Sequence, residues 1–199
     1  MKIAVIGSGS VGTALGDGFT AKGHTVLYGS RDPKKEAGSS RPFDTVAGAI
    51  AKSEVVVLAI PWDAVESVVG ASDLSGKIVI DCVNPISAQM ELMMGCTTSA
   101  GETVAKLAQG AKVVKAFNTT GSNNMKNPSF GSTRLTMFYA GDDESAKKVV
   151  GELISDIGFD PVDAGPLKMA RYLEPLSMLW INLFLGMKQD IAFQLIKRQ

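Results

Sequence analysis

Predominantly apolar runs at 3–6, 25–28, 55–60, 77–81, 112–117 and 135–140, with a shorter one near 159–163, alternate with stretches whose apolar residues recur at helical spacing. Strands covered on both faces read as continuous apolar runs, because neither side of the pleat meets water. The alternation therefore predicts an α/β chain, a doubly wound and mostly parallel sheet with helices on both faces.

The first helical stretch is the clearest. Val11, Ala14, Leu15, Gly18 and Phe19 fall on one face at i, i+3, i+4, i+7 and i+8, which packs that face on the sheet. Ser99 and Glu102 have capping-box spacing ahead of Val104, and Asp142, Asp143 and Glu144 place negative charge at the start of a helix that ends at Gly158. Pro175 is expected to restart a helix that is apolar nearly all round, through Leu176, Leu179, Trp180, Leu183 and Leu185, and such a helix needs a cover. The cover expected is a second copy of the chain, making a homodimer. Two stretches read as irregular, 31–41 and 121–134.

Between the first strand and the first helix stands Gly7-Ser8-Gly9-Ser10-Val11-Gly12, a G-x-G-x-x-G turn. Gly7 permits the tight turn, Gly9 lets the backbone approach a diphosphate, and Gly12 allows close helix–sheet packing. The free N–H groups at the helix start then face the diphosphate, where the helix dipole favours negative charge. The placement makes the sheet Rossmann-like. Residues 1–165 are expected to form an NADP-binding Rossmann domain, with 166–199 a short C-terminal helical segment on the same domain or on a dimer partner.

An NAD-specific unit carries an acidic residue at the end of its second strand for the ribose 2′-hydroxyl. Here Gly29-Ser30-Arg31 takes that place, with Lys34 and Lys35 beyond. A hydroxyl, a guanidinium and an ammonium suit a 2′-phosphate, so NADP(H) is expected over NAD. Asp32 is adjacent, and is expected to turn away from the ribose and pair with a neighbouring lysine.

Charge and cysteine usage narrow the partners. Twenty basic side chains balance twenty acidic ones, so no overall field collects nucleic acid or an anionic membrane. Cys82 and Cys96 with the single His24 support neither a zinc site nor a disulfide framework, which points to a reducing, cytoplasmic setting. The glycine turn follows the N-terminus too soon for a signal peptide, and 176–187, with Ser177, Asn182 and Gly186 inside it, is short of the roughly 20 apolar residues of a membrane span. No nucleic acid and no membrane partner is expected; a small-molecule electron acceptor is.

The strand ends converge on Ala59-Ile60-Pro61-Trp62, Asp81-Cys82-Val83-Asn84-Pro85 and Lys115-Ala116-Phe117-Asn118-Thr119. With the glycine turn, Gly29-Ser30-Arg31, Gly141-Asp142-Asp143-Glu144-Ser145 and Asp163-Ala164-Gly165-Pro166-Leu167, these segments resemble the F420-dependent NADP oxidoreductases, the family of the NADPH-dependent coenzyme F420 reductases and of the cytosolic ferric-reductase domains of the STEAP proteins. The resemblance runs through most of the chain. It implies 2′-phosphate contacts at Ser30, Arg31 and Lys35 and nicotinamide or adjacent contacts near Ile60, Pro61, Asn84, Pro85 and Ala116; Ala59 and the turn residues Gly7, Ser8, Gly9, Ser10, Val11 and Gly12 are also expected to bind the cofactor. The archaeal deazaflavin reductases of that family differ from this chain in a glycine turn one residue longer and in the segment matching 116–119.

Hydride transfer between stacked rings needs proximity and orientation more than an acid or base, and no catalytic side chain is assigned. Asn84 is expected at the nicotinamide ribose or carboxamide, with Pro85 fixing its backbone. His24 and Cys82 read as structural, and Met90, Met93 and Met94 as core filling or an adaptable pocket wall. Lys168 and Arg171 read as an anion contact, or Arg171 with Glu174 as an i, i+3 surface pair. The function expected is hydride transfer between NADP(H) and coenzyme F420, FMN or FAD. The alternatives are an imine reductase or hydroxyacid dehydrogenase, and a non-catalytic NADP(H)-binding sensor.

Overall fold

The computed structural model describes residues 1–36 and 38–198. The first half runs β1 (Lys2–Ile6), α1 (Ser10–Ala21), β2 (Thr25–Ser30), β3 (Phe43–Thr45), α2 (Val46–Ala51), β4 (Val55–Leu58), α3 (Val65–Val69) and β5 (Ile78–Asp81). The second runs α4 (Ala100–Leu107), β6 (Lys112–Lys115), α5 (Ser122–Lys126), β7 (Ser129–Phe130), β8 (Thr133–Arg134), β9 (Thr136–Gly141), α6 (Glu144–Asp156), β10 (Asp160–Asp163) and α7 (Ala170–Met187).

Among the described residues, eight strands form one sheet in the order β10-β9-β6-β5-β4-β1-β2-β3, and β7 with β8 makes a small hairpin. From β3 to β6 every pairing is parallel; β9 runs antiparallel to β6, and β10 parallel to β9. The chain leaves β1 in both directions, to β2 on one side and to β4 on the other. That reversal opens a crevice at the carboxyl ends of β1, β2 and β4, where ligands of doubly wound sheets bind.

The pleat divides the core in two. Ile3, Val5, Val55 and Val57 face α1 and α6, while Ala4, Ile6, Val56 and Leu58 face α2, α3 and α4. Each of these strand residues is at most 2 % exposed, which for a Val, Leu or Ile is worth about 1.5–3 kcal/mol of transfer free energy. Ser99 caps α4 by accepting from the Glu102 N–H at 3.1 Å, and Asp143 caps α6 by accepting from the Ala146 N–H at 2.8 Å.

Three expectations need correction. Residues 31–41 and 121–134 are not wholly irregular: the first contains a 3₁₀ turn at Pro33–Glu36, the second holds α5 and the β7–β8 hairpin. Pro175 does not begin a helix but lies inside α7. A proline there removes the N–H that would reach the carbonyl of Arg171, and the N–H of Cys96 donates to that carbonyl instead, at 3.1 Å. Met90 and Met93 fill no core; they are 49 % and 58 % exposed.

Candidate functional site

The crevice is a cavity of about 1170 Å³, lined by Ile6 to Val11, by Gly29 to Asp32 with Lys35 and Glu36, and by Ala59 to Pro61 with Asp63, Ala64 and Ser67. Gly7 has φ +108°, a conformation L side chains rarely adopt. A Cβ on Gly12 would overlap the carbonyl of Gly7, its carbon 3.0 Å away. These two glycines make the turn tight. Gly9 differs: a Cβ there would meet no protein atom within 4 Å.

Helix α1 starts without a side-chain cap, and its first interior hydrogen bond runs from the Thr13 N–H to the Gly9 carbonyl at 2.9 Å. Among the described residues, the N–H groups of Ser10, Val11 and Gly12 have no acceptor within the protein. An uncapped helix start above an open glycine is the donor set a diphosphate needs. The residues present therefore fit a dinucleotide.

At the end of β2, Ser30 and Arg31 face the same cavity. Arg31 is exposed and, among the described residues, has no carboxylate partner. Asp32 pairs with Lys35, Nζ to Oδ2 3.3 Å, and its N–H donates to Ser30 Oγ at 3.1 Å. The loop returns through Arg41, whose Nε and Nη2 donate to both oxygens of Asp17 on α1 at 2.8 and 2.6 Å. The same Asp17 and, first of all, burial raise the Tyr28 hydroxyl to about 12.

The other expected contacts stand apart from this cavity. Asn84 is half-buried and Pro85 buried, at the end of β5; Ala116 is fully enclosed beyond β6, so its side chain lines no open wall. The side chain of Asn84 is engaged with Asn118: Asn84 Nδ2 donates to the Asn118 carbonyl at 2.9 Å, and Asn118 Nδ2 donates to Asn84 Oδ1 at 3.0 Å. Asn118 Nδ2 also reaches the Leu173 carbonyl at 3.0 Å. Between Ala116 and Asn118 the chain turns at Phe117, fully buried at φ +60°, a strained conformation for an aromatic residue.

Several side chains singled out in the sequence lie elsewhere. His24 sits at the amino-terminal edge of the sheet, opposite the crevice, between the N-terminal amine at 3.2 Å and Asp156 at 3.0 Å. Burial, with Asp81 adding to it, pushes the Cys82 thiol far above its ordinary range, so it stays protonated. Arg171 does not pair with Glu174. Its Nε and Nη2 donate to Glu102 at 2.9 and 2.6 Å, whereas Glu174 is wholly buried. Periodicity along one helix cannot report a partner on another, so the Glu102–Arg171 pair leaves no mark in the sequence pattern.

The family profile of coenzyme F420-dependent NADP oxidoreductases matches residues 2–85. A crystal structure from Arthrobacter sp. FB24, described as a candidate F420-dependent NADP reductase, superposes with a TM-score of 0.91 over 99 % of this chain and 100 % of that one, at 30 % identity. A hypothetical protein of Sinorhizobium meliloti is 34 % identical, covering 86 % of this chain and 88 % of that one, with a TM-score of 0.75. The rat metalloreductase STEAP3 is 31 % identical over 185 residues, 89 % of this chain but 37 % of its own length. The chain thus spans little more than a third of the curated relatives it matches. It belongs to the F420-dependent NADP oxidoreductase family, an NADP-dependent oxidoreductase class. Among the described residues, no helix is long and apolar enough to cross a membrane.

Proposed function

We propose that the chain binds NADP(H) along the crevice and passes a hydride between it and a flavin or deazaflavin, FMN, FAD or coenzyme F420, held beyond the ends of β5 and β6. The observation that carries the reading is the uncapped start of α1 over the open Gly9, in one cavity with Ser30 and Arg31. Bound NADPH supplies the hydride from its dihydronicotinamide ring; with a proton from solvent this reduces the acceptor and leaves NADP⁺.

The residues divide the task by strand. The N–H groups of Ser10 to Gly12 bind the diphosphate, and Ser30 and Arg31 take the 2′-phosphate, with Lys35 released from Asp32 to join them. Ile60 and Pro61 wall the middle of the cavity. A dinucleotide laid across the sheet from β2 toward β5 brings its nicotinamide end to Asn84. Tyr172, Leu179, Leu185 and Met187 leave α7 with an apolar surface 51–60 % exposed; we assign it to a homodimer contact, which light scattering at micromolar concentration tests.

The functional reading is tested by mixing the chain with NADPH and F420, FMN or FAD in turn and following the nicotinamide absorbance. Oxidation of NADPH coupled to reduction of one acceptor supports it. Tight NADP(H) binding with no turnover across the panel favours a binding or sensing protein instead.

A further inference from the structure

Lys115 is completely enclosed, and the dinucleotide contacts above do not use it. Its Nζ lies 2.9 Å from Asp81 Oδ2 and 2.8 Å from Glu174 Oε1, and donates to the Val83 carbonyl as well. All three charged side chains are 0 % exposed. An ion taken out of water needs several well-placed partners to persist, and a second carboxylate would leave this cluster with excess negative charge. The start of α4 meets that excess: the N–H groups of Ala100 and Gly101 donate to Glu174 at 2.9 and 3.0 Å, where the helix dipole is positive. Burial alone would lower the Lys115 ammonium, but the charges of Asp81 and Glu174 outweigh it and raise it above its ordinary value.

The cluster acts on the two peptide groups that flank Val83. Asp81 Oδ1 accepts from the Val83 N–H at 2.9 Å while Lys115 donates to the Val83 carbonyl. Both backbone polar groups of the residue before Asn84 are therefore held by the ion pair. One residue on, Asn84 is clasped to Asn118, and the Leu173 carbonyl, which can only accept, fixes which way the Asn118 amide faces. Leu173 and Glu174 are adjacent on α7, so one turn of that helix braces both the ion cluster and the asparagine pair.

We propose that Lys115 is a positioning residue for hydride transfer, holding Val83-Asn84-Pro85 in the geometry that presents Asn84 to the nicotinamide end of the bound dinucleotide. The inference rests on the NADP(H) reading above. It separates two quantities: the diphosphate and 2′-phosphate contacts lie at and beyond the ends of β1 and β2, three and four strands from β6 and its Lys115, so dinucleotide affinity and transfer rate respond differently to its loss.

The test compares the wild-type chain with Lys115→Met, and with Asp81→Asn/Lys115→Met, which leaves a neutral side chain on the Val83 N–H and no unpaired Asp81 charge. In the unliganded variants the Val83 carbonyl loses its Lys115 donor, so hydrogen exchange over Val83 and Asn84 is expected to speed up at least about tenfold through local opening. NADP(H) affinity by calorimetry stays within about threefold of wild type, while single-turnover hydride transfer slows at least about tenfold and Lys115→Arg recovers part of the rate. Either variant, folded and transferring hydride at the wild-type rate, overturns the proposal. So does failure of both variants to fold, which would assign Lys115 to stability. Absence of NADP(H) binding by the wild-type chain would instead remove the underlying reading.

Discussion

Gly7 and Ala59 approach each other more closely than any side chain at position 7 would permit: a Cβ there would lie 2.8 Å from the Ala59 carbonyl carbon and nearer still to its oxygen. The contact joins the turn after β1 to the end of β4, the two strands between which the crevice opens. Gly7→Ala is therefore expected to destabilise the fold, with about 1–3 kcal/mol from the φ +108° conformation alone and more from the overlap. Urea denaturation measures this, and an unchanged midpoint would contradict the close approach.

Gly9→Ala is expected to do the reverse. Residue 9 has φ −73°, open to any residue, and a Cβ there meets no protein atom within 4 Å. Stability should stay within about 0.5 kcal/mol of wild type, as at ordinary surface positions. The added methyl stands where the diphosphate approaches, so NADP(H) affinity should fall at least about tenfold, or 1.4 kcal/mol. Equal binding by the two proteins would place the diphosphate elsewhere.

Arg31→Ala tests the choice of dinucleotide. Losing a charge-assisted contact to the 2′-phosphate should cost NADP⁺ about 1–3 kcal/mol of binding and leave NAD⁺ binding nearly unchanged. Competition of the two nucleotides on wild type and variant reads out the difference directly. A parallel loss for both would mean that Arg31 does not distinguish them.

The parallel sheet was legible because Val55–Leu58 and its like are apolar on both faces of the pleat, and the glycine turn because a backbone requirement is written directly into residue identity. Strand β3 was not: Phe43–Thr45 is short and lies at the sheet edge, with no apolar run to mark it. Helix α5 reads as a polar loop, since Asn124 is held not by periodicity but by Thr120 Oγ1 and the distant Ile191 carbonyl, at 2.8 and 2.7 Å. In the site, Ser30 and Arg31 announce themselves by standing where an acidic residue would otherwise be. Lys115 gives no comparable sign, because its meaning depends on Glu174 arriving from the far end of the chain.

The Glu102–Arg171 pair ties α4 to α7 and carries a pH signature. Hydrogen bonds from Arg171, helped by Ser99, hold the Glu102 carboxyl at about 2, below its ordinary 4.5. A carboxyl depressed by folding stabilises the native state above its unfolded value, and that contribution is lost as pH falls through the folded one. Stability should therefore decline between about pH 4.5 and 2 more steeply in wild type than in Glu102→Gln. Acid unfolding curves that fall in parallel would show the pair to be energetically silent.

The most direct measurement is calorimetric titration of the intact chain with NADP⁺ and NAD⁺ at a stated ionic strength. One equivalent of NADP⁺ bound, at least about tenfold tighter than NAD⁺, is the result expected from a diphosphate at the start of α1 and a 2′-phosphate at Ser30 and Arg31. No heat with either nucleotide, or equal affinity for both, would contradict it.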